Sequence, residues 1–330
     1  MEVVKITDFP GVRLGNAQDF QAATGCTVVL CPEGAVTGVD VRGGAPGTRE
    51  TDLLRPENYV EKIQGVLLAG GSAFGLDAAG GVMQYLEERG IGFDVGVAKV
   101  PIVAAAVLFD LPCGDAAVRP DRNMGYRACQ AAETEKFRTG SVGAGAGATV
   151  GKMFGMERAM KGGLGACCLK LGELMVGAVV AVNCLGDVVD PATGDILAGA
   201  YCAEPFRFLN SEAELLQQCD RTGNRFAGNT TIGVILTNAQ LTKAQATKVS
   251  SMAHDGYART MRPAHTMLDG DAIFTMSVGG IVADISAVGT LAAEVMARAV
   301  LSAVRDAASL AGFKAMVDLN PKNECISSDK

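Results

Sequence analysis

Residues 228–239 read GNTTIGVILTNA: a polar turn, Gly228-Asn229, runs straight into seven residues (230–236) rich in β-branched and aliphatic side chains. Such side chains pack well on a pleated surface, so this run reads as a strand that is apolar on both faces and therefore buried. Its first residue carries a second meaning. If the Asn229–Thr230 bond were cut, the freed α-amine of Thr230 would lie beside its own hydroxyl and could take its proton, which makes a latent nucleophile. The strand alone does not choose between that role and an ordinary threonine.

Outward from this strand the pattern repeats. Residues 63–68, 167–171, 174–182 (LMVGAVVAV, ending at Asn183) and 272–278 read as further buried strands. The runs 26–31 (CTVVLC) and 35–41 (AVTGVDV), joined by Pro32-Glu33-Gly34, read as a hairpin. Helical apolar spacing marks 73–89, stopped by Gly90, and then 242–261 and 290–311. Strands with helices outside them indicate a layered α/β architecture.

Composition narrows the function. Glycine makes up 42 of 330 residues, about 13% against a usual share of about 7%, yet it has no triplet period and there are only 11 prolines. Collagen and a low-complexity linker are excluded. The glycines gather in 42–49 (RGGAPGTR), 67–75 (LLAGGSAFG) and 140–151 (GSVGAGAGATVG). None is a nucleotide motif: the residue five before Gly151 is Ala146, and Met153 follows Lys152 where a P-loop has Ser or Thr. Around Ser72 the nucleophile-elbow pattern is one residue out of register, with Gly70 two before but Phe74 two after. A serine hydrolase built there would have only His254 or His265 as its base.

The net charge of −7 and the lack of a Lys/Arg run speak against nucleic acid as a partner. Apolar stretches such as 100–109 run to about ten residues, short of the roughly 20 that span a bilayer, and the start MEVVKITD lacks the features of a signal peptide. A cytoplasmic protein with no membrane partner is expected. The ten cysteines then read as buried and reduced. Adjacent Cys167-Cys168 and the lone Cys26/Cys31 spacing do not form a zinc pattern, so no metal is expected.

Seven segments occur in one order along nearly the whole chain: VDVRGGAPGTRETDLL from Val39, LLAGGSAFGLDAAGGV from Leu67, VPIVAAAVLFDL from Val100, GSVGAGAGATVGK from Gly140, VGAVVAVNCLGDVVD from Val176, GNTTIGVILTNA from Gly228 and LDGDAIFTMSVG from Leu268. Together they resemble the DmpA family of self-processing N-terminal-nucleophile aminopeptidases, which includes the nylon-oligomer hydrolases. The resemblance implies a four-layer αββα sandwich of the kind shared with ornithine acetyltransferases. It also implies one hydrolase domain over 1–330, cut between Asn229 and Thr230 into chains 1–229 and 230–330 that stay together. A homo-oligomer, often a tetramer, and no cofactor or metal are implied as well.

Site residues carry over by motif. Thr230 becomes the nucleophile, and Asp269-Gly270-Asp271, beginning 39 residues later, becomes its acidic partner segment. Lys152 matches a lysine close to the nucleophile, where a buried ammonium beside two carboxylates would offset part of their charge. Asn183 matches the asparagine that donates to the oxyanion. The β-peptide branch resembles Ser-x-Glu where this chain has Asp-x-Asp, and the spacing is that of the nylon-hydrolase branch. The function implied is hydrolysis of small peptides, amino-acid amides or esters through an acyl-enzyme. Alternatives are endo-hydrolysis of ω-amino-acid oligomers, acyl transfer like that of ornithine acetyltransferase, and a binding protein that no longer cuts itself. The loops 42–49 and 67–76 are expected to wall the substrate pocket.

Overall fold

A computed structural model describes residues 1–134, 136–219 and 228–319. The main strands are β1 (Arg13–Asp19), β2 (Thr24–Val41), β3 (Lys62–Ala69), β4 (Val103–Val107), β5 (Gly163–Leu171), β6 (Leu174–Asn183), β7 (Thr230–Ala239) and β8 (Ala272–Ile281). The large helices are α1 (Ala78–Glu87), α2 (Arg122–Thr134), α3 (Lys243–Thr260) and α4 (Ile285–Arg305).

Hydrogen bonding links the strands in the order β5-β6-β7-β8-β2-β3-β4, with β1 also on β2. The 18-residue β2 joins two halves. Its last residues pair with β8, while its first pair with β1 and β3. The halves then face each other. Val29, Leu68, Ala104 and Ala106 from one share an apolar core with Val179, Ile232, Val234 and Phe274 from the other. Because side chains alternate along a strand, the neighbouring residues point outward to helices. Val28, Leu67 and Ala105 pack with α1 and α2, whereas Val180, Ile235 and Ile273 pack with α3 and α4. The order is helix, sheet, sheet, helix, the expected αββα arrangement. Each fully buried Val or Ile in these layers contributes about 1.5–3 kcal/mol.

Local chemistry explains the helix ends. Thr242 and Gln245 form a capping box at the start of α3, and Asp284 caps α4 by accepting from Ala287 N at 2.9 Å. By length and composition α4 could cross a membrane, but it is mostly buried against β5, β6 and α3 as a core helix.

Three expectations need correction. Residues 26–41 are not a hairpin: both runs pair antiparallel with β3, so the chain does not reverse, and Pro32-Glu33-Gly34 sit in a bulge where the register shifts between Leu30 and Ala35. The helix expected over 73–89 begins as a 3₁₀ segment, Ser72–Asp77, and becomes α-helical only from Ala78. The helix expected over 290–311 starts earlier, at its Asp284 cap, and ends at Arg305.

The strand directions gather the site. β6 and β7 are antiparallel, with Asn183 opposite Thr230, and β7 and β8 are parallel. The end of β6, the start of β7 and the approach to β8 therefore meet at one edge of the molecule's inner layers, where Asn229 bridges to Asp269.

Candidate active site

Thr230 is 4% exposed and opens β7. Its Oγ lies 2.5 Å from the carbonyl oxygen of Asn229, to which it donates. That same oxygen accepts from Gly270 N at 2.9 Å. Two donors thus converge on the carbonyl of the bond expected to be cut, and hydrogen bonds aimed at a carbonyl oxygen favour charge developing there.

The two acidic residues flank this point and are each 1% exposed. Asp269 accepts from Thr266 N at 2.9 Å, Thr266 Oγ at 2.6 Å and Leu185 N at 3.4 Å. Asp271 accepts from Thr231 N at 2.7 Å, from His265 N at 3.2 Å and, through its Oδ2, meets His265 Nδ1 at 2.8 Å. Burial, and then the charge of Asp271, push the Asp269 carboxyl above the usual carboxylate range, against the pull of its Thr266 hydrogen bonds.

The glycine-rich loop 42–49 backs this segment. Arg42 N and Gly43 N donate to Asp271 O, and Ala45 N donates to Asp269 O. Glycine is required at 43 because a Cβ there would lie 2.3 Å from both Asp269 O and Asp271 N.

Lys152 lies close to the Asn229–Thr230 bond but makes its hydrogen bonds to carbonyl-type oxygens, not to the two carboxylates it was expected to offset. Its Nζ donates to Asn183 O at 2.9 Å, Asn183 Oδ1 at 2.8 Å and Gly228 O at 3.4 Å. Among the described residues it forms no ion pair with Asp269 or Asp271. The three donors of an ammonium are better matched by three carbonyl-type oxygens arrayed around one point than by carboxylates already saturated with backbone N–H groups. Burial pulls Lys152 down to about 8, and nearby Cys184, Cys113, Asp269 and Asp110 oppose that pull.

Asn183 is fully buried and doubly anchored. Its Oδ1 accepts from Thr149 N at 3.0 Å and from Lys152, while its Nδ2 donates to Phe109 O at 3.0 Å. An amide NH2 has two hydrogens, and among the described residues only one is taken, by Phe109 O. Lys161, also buried, secures the loop that carries Thr149 by donating to Ala146 O and Ala148 O, each at 2.7 Å.

A cleft of about 290 Å³ opens beside Lys152 and Asn229, with an apolar wall of Phe109, Met153, Met156, Leu185 and Leu268. Neither loop expected as its wall lines it: 42–49 supports the acidic segment, and in 67–76 Gly71 N donates to buried Asp110 at 2.6 Å. The polar segment leading to Asn229 lies largely outside the described residues, since 220–227 are not among them.

Motif reading named Thr230, Asn183, Lys152, Asp269 and Asp271; it left out Thr149, Thr266 and the backbone of Gly270, and considered His265 only as a base for Ser72. His265 and Thr266 stand three to six residues before the acidic pair, and the only signal was that proximity. His254 does not act on Ser72. It is buried in α3, its Nε2 on Asp40 O at 3.0 Å. Among the described residues no group of His, Cys, Asp and Glu has metal-site geometry.

Residues 4–317 match the model of Peptidase family S58. An uncharacterized aminopeptidase of Mycobacterium tuberculosis is 43% identical over 348 aligned positions, covering 96% of this chain and 98% of that protein. A 6-aminohexanoate-oligomer endohydrolase of Kocuria sp. is 33% identical, covering 90% and 85% respectively. The fold is similar to that of an L-aminopeptidase/D-Ala-esterase/amidase from Ochrobactrum anthropi, a variant of the Ntn hydrolase fold, with a TM-score of 0.69 at 17% identity over 92% of this chain and 86% of that one.

Proposed function

This chain belongs to peptidase family S58, the DmpA family, and from that membership we propose that it is an aminopeptidase that cuts its own Asn229–Thr230 bond and then uses Thr230 as an N-terminal nucleophile. The observation that carries the proposal is the convergence of Thr230 Oγ and Gly270 N on the carbonyl of Asn229.

In self-cleavage, a bond forms between Thr230 Oγ and the carbonyl carbon of Asn229, and the bond from that carbon to Thr230 N breaks. The hydroxyl proton ends on the released amine. Water then hydrolyses the ester, leaving a carboxylate on Asn229 and restoring the hydroxyl. Gly270 N stabilises the oxygen that gains charge. In turnover, the freed α-amine takes the hydroxyl proton as Oγ attacks the substrate carbonyl, and delivers it to the leaving amine; water then releases the acyl group. The second N–H of Asn183 supports the oxyanion in this phase. Lys152 keeps Asn183 and Gly228 in place, the Asp271 carboxylate holds the backbone after Thr230 through Thr231 N, and the Asp269 carboxylate holds Thr266 and Leu185.

One observation favours a second reading, endo-hydrolysis of ω-amino-acid oligomers. Among the described residues the cleft wall is largely apolar and contributes no carboxylate to hold a substrate's free ammonium. Comparing a free peptide amide with its N-acetylated form separates the two, since only an aminopeptidase needs the free amine. We further propose a cytoplasmic homo-oligomer, a tetramer, to be tested by light scattering of the purified protein and by fractionation.

The decisive experiment is intact-mass measurement with N-terminal sequencing of wild type and Thr230→Ala. Wild type is expected as two chains, the shorter beginning at Thr230, and the variant as one. A wild type that stays whole, or a variant cut at the same bond, overturns the nucleophile assignment.

A further inference from the structure

We propose that His265 is the positioning residue of Asp271: donating from Nδ1, it holds that carboxylate aimed at the start of β7, and it is itself braced by His254. This rests on the reading of Asp271 as part of the Thr230 network.

The two histidines are the only ones in the chain, and their ring centroids are 4.7 Å apart. Their tautomers follow from their partners. An ionised carboxylate only accepts, so the proton that joins His265 to Asp271 Oδ2 at 2.8 Å sits on Nδ1. The carbonyl of Asp40 also only accepts, so His254 carries its proton on Nε2. That leaves lone pairs on His265 Nε2 and His254 Nδ1, and both atoms are buried without a hydrogen-bond partner among the described residues.

The backbone supports the same conclusion. His265 has φ of 58°, a left-handed conformation that is uncommon for any residue with a Cβ and costs on the order of 1 kcal/mol or more. In that conformation its N–H and its Nδ1 both reach the same oxygen of Asp271. The titratable and charged groups around the pair are Asp271 on one side, Tyr257 from α3 at 6.0 Å between centroids, and Asp40 behind His254. Arg42 is held by Asp40 and Ser251. Burial keeps His254 neutral down to about pH 4, so it braces His265 without competing for the proton.

The Nδ1 donor fixes where the Asp271 carboxylate points. In His265→Ala, kcat is therefore expected to fall by about tenfold with KM unchanged, the scale of losing one hydrogen bond to a charged group. His265→Asn keeps a donor N–H and tolerates positive φ, so it should restore kcat. An unchanged kcat in the Ala variant, a loss that falls on KM alone, or no restoration in the Asn variant overturns the proposal, because a merely structural histidine would change yield or melting temperature instead.

A second measurement does not depend on catalysis. With ¹⁵N-labelled histidine, the two side chains should report His265 as the Nδ1–H tautomer and His254 as Nε2–H, and Asp271→Ala should abolish the first preference. Finding His265 as Nε2–H overturns the inference even if the enzyme is active. If wild type is inactive or uncut, the nucleophile reading fails, while the spectrum still decides whether His265 holds Asp271.

Discussion

Gly270 donates its backbone N–H to the carbonyl oxygen of Asn229 at 2.9 Å, tying the approach to β8 to the residue immediately before β7. The contact needs a residue without a side chain. A Cβ on residue 270 would lie 2.6 Å from Thr230 Oγ and 2.7 Å from Ala45 O. Gly270→Ala is therefore expected to slow self-cleavage by about 100-fold, the scale of losing one oxyanion donor. A time course of precursor loss on denaturing gels checks this, and cleavage at the wild-type rate would contradict it.

Lys152→Met should abolish turnover and destabilise the fold. It leaves Asn183 O, Asn183 Oδ1 and Gly228 O facing an apolar side chain, and a buried acceptor without its donor costs about 1–3 kcal/mol. Urea unfolding and amide-substrate kinetics measure the two effects separately. Stability equal to wild type would mean that this lysine does not hold the site together.

The buried lysines also set a pH signature. Lys152 and Lys161 are each pulled down by burial to about 8, below the ordinary lysine value of about 10.4 in an unfolded chain. Between these values the unfolded chain binds more protons than the folded one, so stability gains from both groups as pH rises from about 8 to about 10.4. The cost of burying the two ammonium groups is fully present below pH 8. Lys161→Met should flatten the rise of unfolding free energy over that window, which urea titrations at successive pH values would reveal.

Asp269 gives the opposite sign. Its folded pKa is raised, so its contribution favours the fold below the ordinary carboxylate value and is lost as pH rises through the raised value. Thr266→Val removes its 2.6 Å hydroxyl donor, which should raise that pKa further and widen the window. Carbon-13 chemical shifts of the Asp269 carboxyl against pH would show the movement.

The apolar cleft predicts a specificity change. Leu268→Lys introduces a charge into the wall beside Asn229 and should raise KM for acyl groups with large apolar side chains by at least about tenfold while leaving self-cleavage intact. Steady-state kinetics on leucine and glycine amides, run side by side, would show whether the loss falls mainly on the leucine substrate.

Much of the architecture was legible in local pattern. The apolar runs ending at Asn183 and beginning at Thr230 appear as β6 and β7, and the spacing over 242–261 appears as α3 with its cap at Thr242, because strand and helix periodicity are local properties. The hairpin expected over 26–41 failed for a related reason. Pro-Glu-Gly is equally suited to a turn and to a bulge, and only the availability of β3 and β8 as successive partners kept the chain running forward.

The site divides in the same way. Family motifs named Thr230, Asn183, Lys152, Asp269 and Asp271 by position, but sequence carries no record of which oxygen a side chain faces. The direction of Lys152 toward Asn183 and Gly228, the apolar cleft and the coupling of His265 to Asp271 arise from pairing across long separations. By itself the sequence determined the layers, the expected nucleophile and the family. Tertiary structure alone decided how buried donors are shared among carbonyls and carboxylates, because each buried polar group must find its partner in space, wherever the chain has brought one.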